Sequence, residues 1–184
     1  MGIDRRTVLT GLVSAGALLQ TSTHGEAASG PEINASVGAT LQRFFYQVPG
    51  AEGLAVRSAG VLVFPTVIKA GFGVGGEYGE GAMQVGGRTV AFYNVLSASI
   101  GFQLGAQARS VIIMFMTPQA LGNFQRIDGW RVGVDGSVVL VAVGAGGSID
   151  TDKITNPVVG FILDSKGLMY NLTLEGSKIS RIYP

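Results

Sequence analysis

Between residues 33 and 48 the apolar positions Ile33, Val37, Leu41, Phe44, Phe45 and Val48 recur at helical spacing. Pro49-Gly50 ends that helix, and residues 51–57 form a short second helix before the first strand. After Ala59 the period changes to two. Gly60-Val61-Leu62-Val63-Phe64 reads as a strand closed by Pro65, and residues 99–105 alternate, with Ile100, Phe102 and Leu104 on one side. Residues 111–116 are continuously apolar, which suits a strand covered on both faces. Thr117-Pro118 provides an N-cap followed by proline at the first helical position. The short helix it starts continues through Ala120-Leu121 and is expected to stop at Gly122-Asn123.

Residues 132–143 read as another strand, with Asp135-Gly136 as a bulge or turn. Residues 158–163 and 168–174 flank Asp164-Ser165-Lys166-Gly167, a hairpin signal. Many strands, short glycine turns and few helices predict a mainly β (α+β) fold. The expected architecture is an antiparallel barrel or sandwich with an N-terminal helix and a few short helices. With no repeat array and no internal boundary, a helical segment (29–59) and a β body (60–184) form a single domain.

Residues 1–28 have a different pattern. Asp4-Arg5-Arg6-Thr7-Val8-Leu9 sets paired arginines beside an apolar stretch over residues 8–19, and Gly25-Glu26-Ala27-Ala28-Ser29 follows with small residues. That order of zones reads as a cleavable secretory signal, cut near residue 27 or 28. The apolar zone is about a dozen residues against the roughly 20 that span a bilayer, so it is not a permanent anchor. The paired arginines resemble the twin-arginine motif; an ordinary secretory signal containing two arginines is the alternative. Both readings take the protein out of the cytoplasm, and a bacterial source makes that compartment the periplasm.

Composition then narrows the chemistry. The chain has no cysteine, and its single histidine, His24, lies in the segment expected to be removed. The mature chain therefore has no Ser-His-Asp or Cys-His catalysis, no histidine- or thiolate-ligated metal and no lipid-attachment cysteine. Without Arg5, Arg6, Asp4 and Glu26, 11 basic and 10 acidic residues remain, a net charge of +1. That balance creates no field for nucleic acid. Charged residues are only 14% and mean hydropathy is +0.40, so the surplus apolar surface must enter a core, an oligomer interface or a lipid-facing surface.

Glycine makes up 29 of 184 residues, about twice the usual ~7%. Gly71, Gly73 and Gly76 satisfy G-x-G-x-x-G, but the three glycines within residues 77–86 prevent the helix that would hold a pyrophosphate. Alternating glycines instead suit a strand with one face crowded by a neighbouring backbone. Glu77 and Glu80, candidates for an acid–base pair or cation ligands, fall on opposite faces at period two. Asp150-Thr151-Asp152 has only a fragment of calcium-loop spacing and reads as a solvated loop. A serine paired with Lys69 or Lys166 is not indicated by any spacing. Trp130 reads as a core or rim aromatic. The 33–48 helix, carrying Phe44-Phe45-Tyr46 beside Arg43, either caps a core or lies in a membrane interface. No catalytic constellation or cofactor motif emerges, and a non-enzymatic role without cofactor or metal is expected.

From Gly60 onward the chain resembles the SYLF domain family. The matching residues are Gly60-Val-Leu-Val-Phe-Pro65, Lys69-Ala-Gly-Phe72, Gly75-Gly-Glu-Tyr-Gly-Glu-Gly81, Ser99-Ile-Gly-Phe-Gln-Leu-Gly-Ala-Gln107, Gly129-Trp130 and Gly167-Leu-Met-Tyr-Asn-Leu-Thr-Leu-Glu-Gly-Ser-Lys178. The resemblance implies a lipid-binding module, related in eukaryotes to actin-binding proteins and in bacteria to envelope proteins. It implies an anionic phospholipid or membrane surface as partner, with Lys69 first and Arg57 and Arg109 as helpers at head groups. Phe44 and Phe45 on the aromatic helix are then expected to meet acyl chains. The alternative is a structural or assembly protein of the envelope that binds a protein partner or itself.

Overall fold

The computed structural model describes residues 28–101, 107–141, 154–164, 167–168 and 174–184. The segment expected to direct export, up to residue 27, then Phe102 and Leu104, Asp150-Thr151-Asp152, the expected hairpin turn Ser165-Lys166 and residues 169–173 lie outside them.

Helix α1, Gly30–Gln47, starts one turn earlier than the apolar period indicates, because Ser29 and Pro31 begin it. The Glu32 carboxylate reaches back to the Ser29 N–H (2.8 Å) and hydroxyl (2.7 Å), which satisfies an otherwise orphan donor. Helix α2, Ala51–Arg57, follows after Gly50 in the left-handed conformation.

Eight strands form one curled sheet. They are β1 (Gly60–Val85), β2 (Arg88–Gly101), β3 (Gln107–Phe115), β4 (Trp130–Arg131), β5 (Val139–Leu140), β6 (Val158–Asp164), β7 (Gly167–Leu168) and β8 (Lys178–Ile182). The order is β4-β8-β2-β1-β3-β6-β5, with β7 paired to β6. All pairings are antiparallel except β5 with β6, so the sheet is a mixed half-barrel.

The sheet separates two cores. Leu62, Phe64, Val111, Ile113, Phe115 and Ile162 face inward, joined by Met83, Tyr93, Ile179 and Trp130. Val61, Val63, Ile112, Met114, Phe161 and Leu163 face the other way, against Ile33, Val37, Phe44 and Leu54 of the first two helices. The continuous apolar run in β3 has this cause: residues 111–115 are buried on both faces.

Three expected elements have other limits. Pro65 does not close the first strand. It sits in a bulge, where the β1–β3 register shifts between Phe64 and Val67, and β1 continues. Helix α3, Pro118–Arg126, starts at the Thr117 cap, whose hydroxyl accepts from the Ala120 N–H at 3.1 Å. It runs through Gly122-Asn123 because buried Leu121 and Phe124 anchor it, and Phe124 packs 4.8 Å from Phe115 and 5.4 Å edge-on to Trp130. Trp130 is thus a core residue. Of the strand expected over residues 132–143, the described part, to residue 141, holds a bridge between Val132 and Gly136 and then β5, while β4 precedes it. Asp135 makes the turn there, accepting from the Arg131 N–H at 2.7 Å.

Candidate functional site

β1 does not run straight. Lys69 and Glu77 lie eight residues apart, which would separate them by roughly 26 Å along an extended strand. In the fold Lys69 Nζ is 3.9 Å from Glu77 Oε1. β1 therefore turns back on itself between them, its first half paired with β3 and its second with β2. The glycine-rich sequence permits this close approach. A Cβ on Gly81 would lie 2.0 Å from the Val63 carbonyl oxygen, and one on Gly79 2.7 Å from that of Thr66. The cluster from Gly71 to Gly81 lies in a strand, with no helix opening to receive a pyrophosphate. Gly86 and Gly87, both at positive φ, form the tight turn from β1 into β2.

The bend gathers three charged side chains on the inner face. Arg109 pairs in register with Val67, Lys69 follows two residues later, and Glu77 pairs with Ser97 next to the Gly79–Val95 pair. Arg109 Nη2 donates to Glu77 Oε2 at 2.5 Å, so a single carboxylate faces two cations. The Glu77 and Arg109 side chains are 9% and 11% exposed, whereas Lys69 keeps 30%. The trio carries one excess positive charge. Arg109 Nε is buried without a hydrogen-bond partner, leaving a donor to satisfy.

A cavity of about 190 Å³ opens at the Pro65-Thr66 bulge, lined by Arg43, Pro65, Thr66, Ala108, Arg109 and Ser110. Arg43 of α1 donates to Ser110 Oγ at 2.6 Å, and Ser110 Oγ donates to the Pro65 carbonyl at 2.6 Å. Two arginines thus flank one small cavity. On the opposite face of the same strands, Ile68, Tyr78 and Leu96 are exposed, Tyr78 and Leu96 as cross-strand partners. Lys178 of β8 pairs with Leu96. Tyr78 donates to Glu80 Oε1 at 2.5 Å; burial, followed by that carboxylate, pushes its phenol up to about 12.

The expected site residues separate. Lys69 and Arg109 come together. Arg57 ends α2 and is exposed three residues before β1 begins at Gly60, and nine residues of strand, roughly 30 Å, then separate Gly60 from Lys69. Phe44 has no exposed surface, with its ring 4.9 Å from Phe161, so it is core rather than an acyl-chain contact. Phe45 is half-buried and lines a separate cavity of about 340 Å³ with Leu41, Ala55, Val56 and Val61. Glu77 and Glu80 do fall on opposite faces, Glu77 with Arg109 and Glu80 with Tyr78. Sequence reading missed Glu77 as the partner of both cations and Arg43 as a wall of the cavity. The unusual Glu-x-x-Glu amid glycines was visible, but the fold-back that gives Glu77 its partners was not. Among the described residues no helix is long and apolar enough to cross a membrane.

Residues 96–182 match the family model Ysc84, described as Las17-binding protein actin regulator. The match is consistent with the SYLF resemblance over that segment, which contains the Ser99, Gly129-Trp130 and Gly167 motifs. The Gly60 and Gly75 motifs precede it, in the strand that pairs with both β2 and β3. No curated protein matches the chain.

Proposed function

We propose, for a chain whose residues 96–182 match the Ysc84 family model, an exported, non-enzymatic module of the bacterial envelope that binds anionic phospholipid. The observation that carries this reading is the pair of cations on one carboxylate. Lys69 and Arg109 share Glu77, and the residual positive charge sits behind exposed Ile68, Tyr78 and Leu96 on the same strands. A phosphate approaching this end would meet Lys69, the unpaired Arg109 Nε and, through the cavity, Arg43. Entering edge-on, this end of the sheet would set the cations of one face at head groups and the apolar side chains of the other face in the acyl boundary, a pairing of forces suited to an anionic membrane surface. Arg43 takes the helper place expected of Arg57, and Phe45 remains the aromatic of α1 that can face an apolar ligand.

The periplasmic address rests on the signal-like residues 1–28. Co-sedimentation of the mature chain with vesicles tests the binding. Recovery with phosphatidylglycerol-containing vesicles is expected to exceed that with phosphatidylcholine alone and to fall in 0.5 M salt, about which the Debye length is only a few Å. Equal recovery from both vesicle types would overturn the reading.

A second reading, a structural or assembly protein that binds a partner or itself, draws on the family description, which names a protein-binding regulator. The exposed Ile68–Tyr78–Leu96 face would then be an interface. Light scattering separates the two: a stable oligomer indifferent to lipid favours the second.

A further inference from the structure

We infer that Glu80 is the docking carboxylate for the amino terminus of the processed chain, which is released by a cut between Ala27 and Ala28. The inference rests on the export reading above. Its structural ground is a contact that spans 52 positions: the Ala28 backbone nitrogen donates to Glu80 Oε2 at 3.1 Å. The other oxygen of that carboxylate accepts from the Tyr78 hydroxyl at 2.5 Å. Ala28 is half-buried and packs on the helix-covered core, so residue 28 has a defined seat on the sheet.

The sequence and the geometry select the same bond. A cut after Ala27 puts Gly25 and Ala27 at the small-residue positions that an export peptidase reads; a cut after Ala28 puts Glu26 there. Cutting after Ala28 would also remove the residue that reaches Glu80. In the cut itself, water adds across the Ala27–Ala28 peptide bond. The new carboxylate stays on Ala27, and the amine on Ala28 takes up a proton.

That change turns one neutral amide donor into an ammonium with three donors. The contact with the Glu80 carboxylate, already a bond to a charged acceptor, thereby gains an ion pair. The new charge also sits one residue ahead of the α1 N-cap, where the helix dipole opposes a cation. Glu80, together with Glu32 in the first turn, offsets that opposition. Processing thereby tightens the seat of α1 on the sheet, and every described residue of the fold remains in the processed chain.

Two measurements test this. The full-length chain is expressed in an export-competent bacterium, and the intact mass of the periplasmic product is read. The mass of residues 28–184 is expected. A product still carrying residues 1–27 would sink the export reading, whereas an exported product beginning at Ser29 or elsewhere would overturn the docking site alone. Chain 28–184 is then prepared with a free and with an acetylated amino terminus, in wild-type and Glu80→Gln backgrounds. Acetylation is expected to lower Tm by about 3 °C with Glu80 present and by less than about 1 °C in the variant. Equal losses in both backgrounds would overturn the pairing.

Discussion

The two ends of the β1–β3 ladder, on either side of the Pro65-Thr66 bulge, are built on opposite principles. Below the bulge, Gly60–Phe64 pairs with Val111–Phe115, and each of these residues is buried. Above it, Val67, Ile68 and Lys69 pair with Arg109, Ala108 and Gln107, and charge enters the inner face. The lower end is closed by α1 and α2 on one side and by α3 with Trp130 on the other. No comparable apolar lid covers the cations of the upper end among the described residues, and Lys69 reaches solvent. The fold is held mainly by one end, and the groups suited to a ligand are set at the other. Stability and binding should therefore respond to different substitutions.

The largest effect is expected at the apolar end. Phe161→Ala removes a ring packed against Phe44 between α1 and the sheet, and should cost roughly 3–5 kcal/mol in urea unfolding. A loss below about 1 kcal/mol would show that the helices contribute little to that end. At the charged end, Glu77→Gln leaves Arg109 beside a neutral partner in a nearly dry site. A loss of roughly 2–4 kcal/mol is expected, together with stronger retention on anionic vesicles as both cations are released. Weaker retention would mean that Glu77 orients the cations rather than competing for them.

Lys69→Ala should reverse that profile. Its exposed ammonium supports stability by no more than about 0.5 kcal/mol, yet its removal is expected to reduce vesicle binding several-fold. Unchanged binding with intact stability would remove Lys69 from the site.

The smallest effects concern pH. Tyr78 has its phenol raised to about 12 by burial and the nearby Glu80 carboxylate, so the folded state favours the protonated form. That contribution is fully present below an unfolded value of about 10 and is lost as pH rises toward 12. Burial likewise raises Tyr93, while Arg181 pulls it down. The phenolate absorbance should therefore develop late, with Tyr78 near 12, and Tm should decline over the same interval. Glu32 works in the other sense: the Ser29 hydroxyl and N–H lower its pKa, so the capping box is retained above about 4.5 and loosens on acidification.

Local chemistry made the elements of this protein legible. The apolar period marked α1, the double-sided run of residues 111–115 marked a central strand, and Thr117-Pro118 marked the start of α3. Each of these signals acts within a few residues, so it survives without knowledge of the fold. Boundaries set by distant packing were not legible. Gly122-Asn123 reads as a stop until Phe124 is seen against Phe115 and Trp130, and Pro65 reads as a strand end until β3 is seen continuing the ladder beyond the bulge.

The candidate site divides in the same way. Composition alone removed cysteine chemistry and confined histidine to His24 in the signal-like segment, and alternation alone put Glu77 and Glu80 on opposite faces. Which cations Glu77 meets, that Arg43 lines the cavity, that Phe44 is enclosed and that Ala28 rests on Glu80 were decided by tertiary structure. The physical reason is the fold-back of β1, through which glycines at 79 and 81 let two backbones approach. Together with the packing of α1 on the sheet, it joins residues 8, 32, 52 and 67 positions apart, distances over which sequence periodicity carries no information.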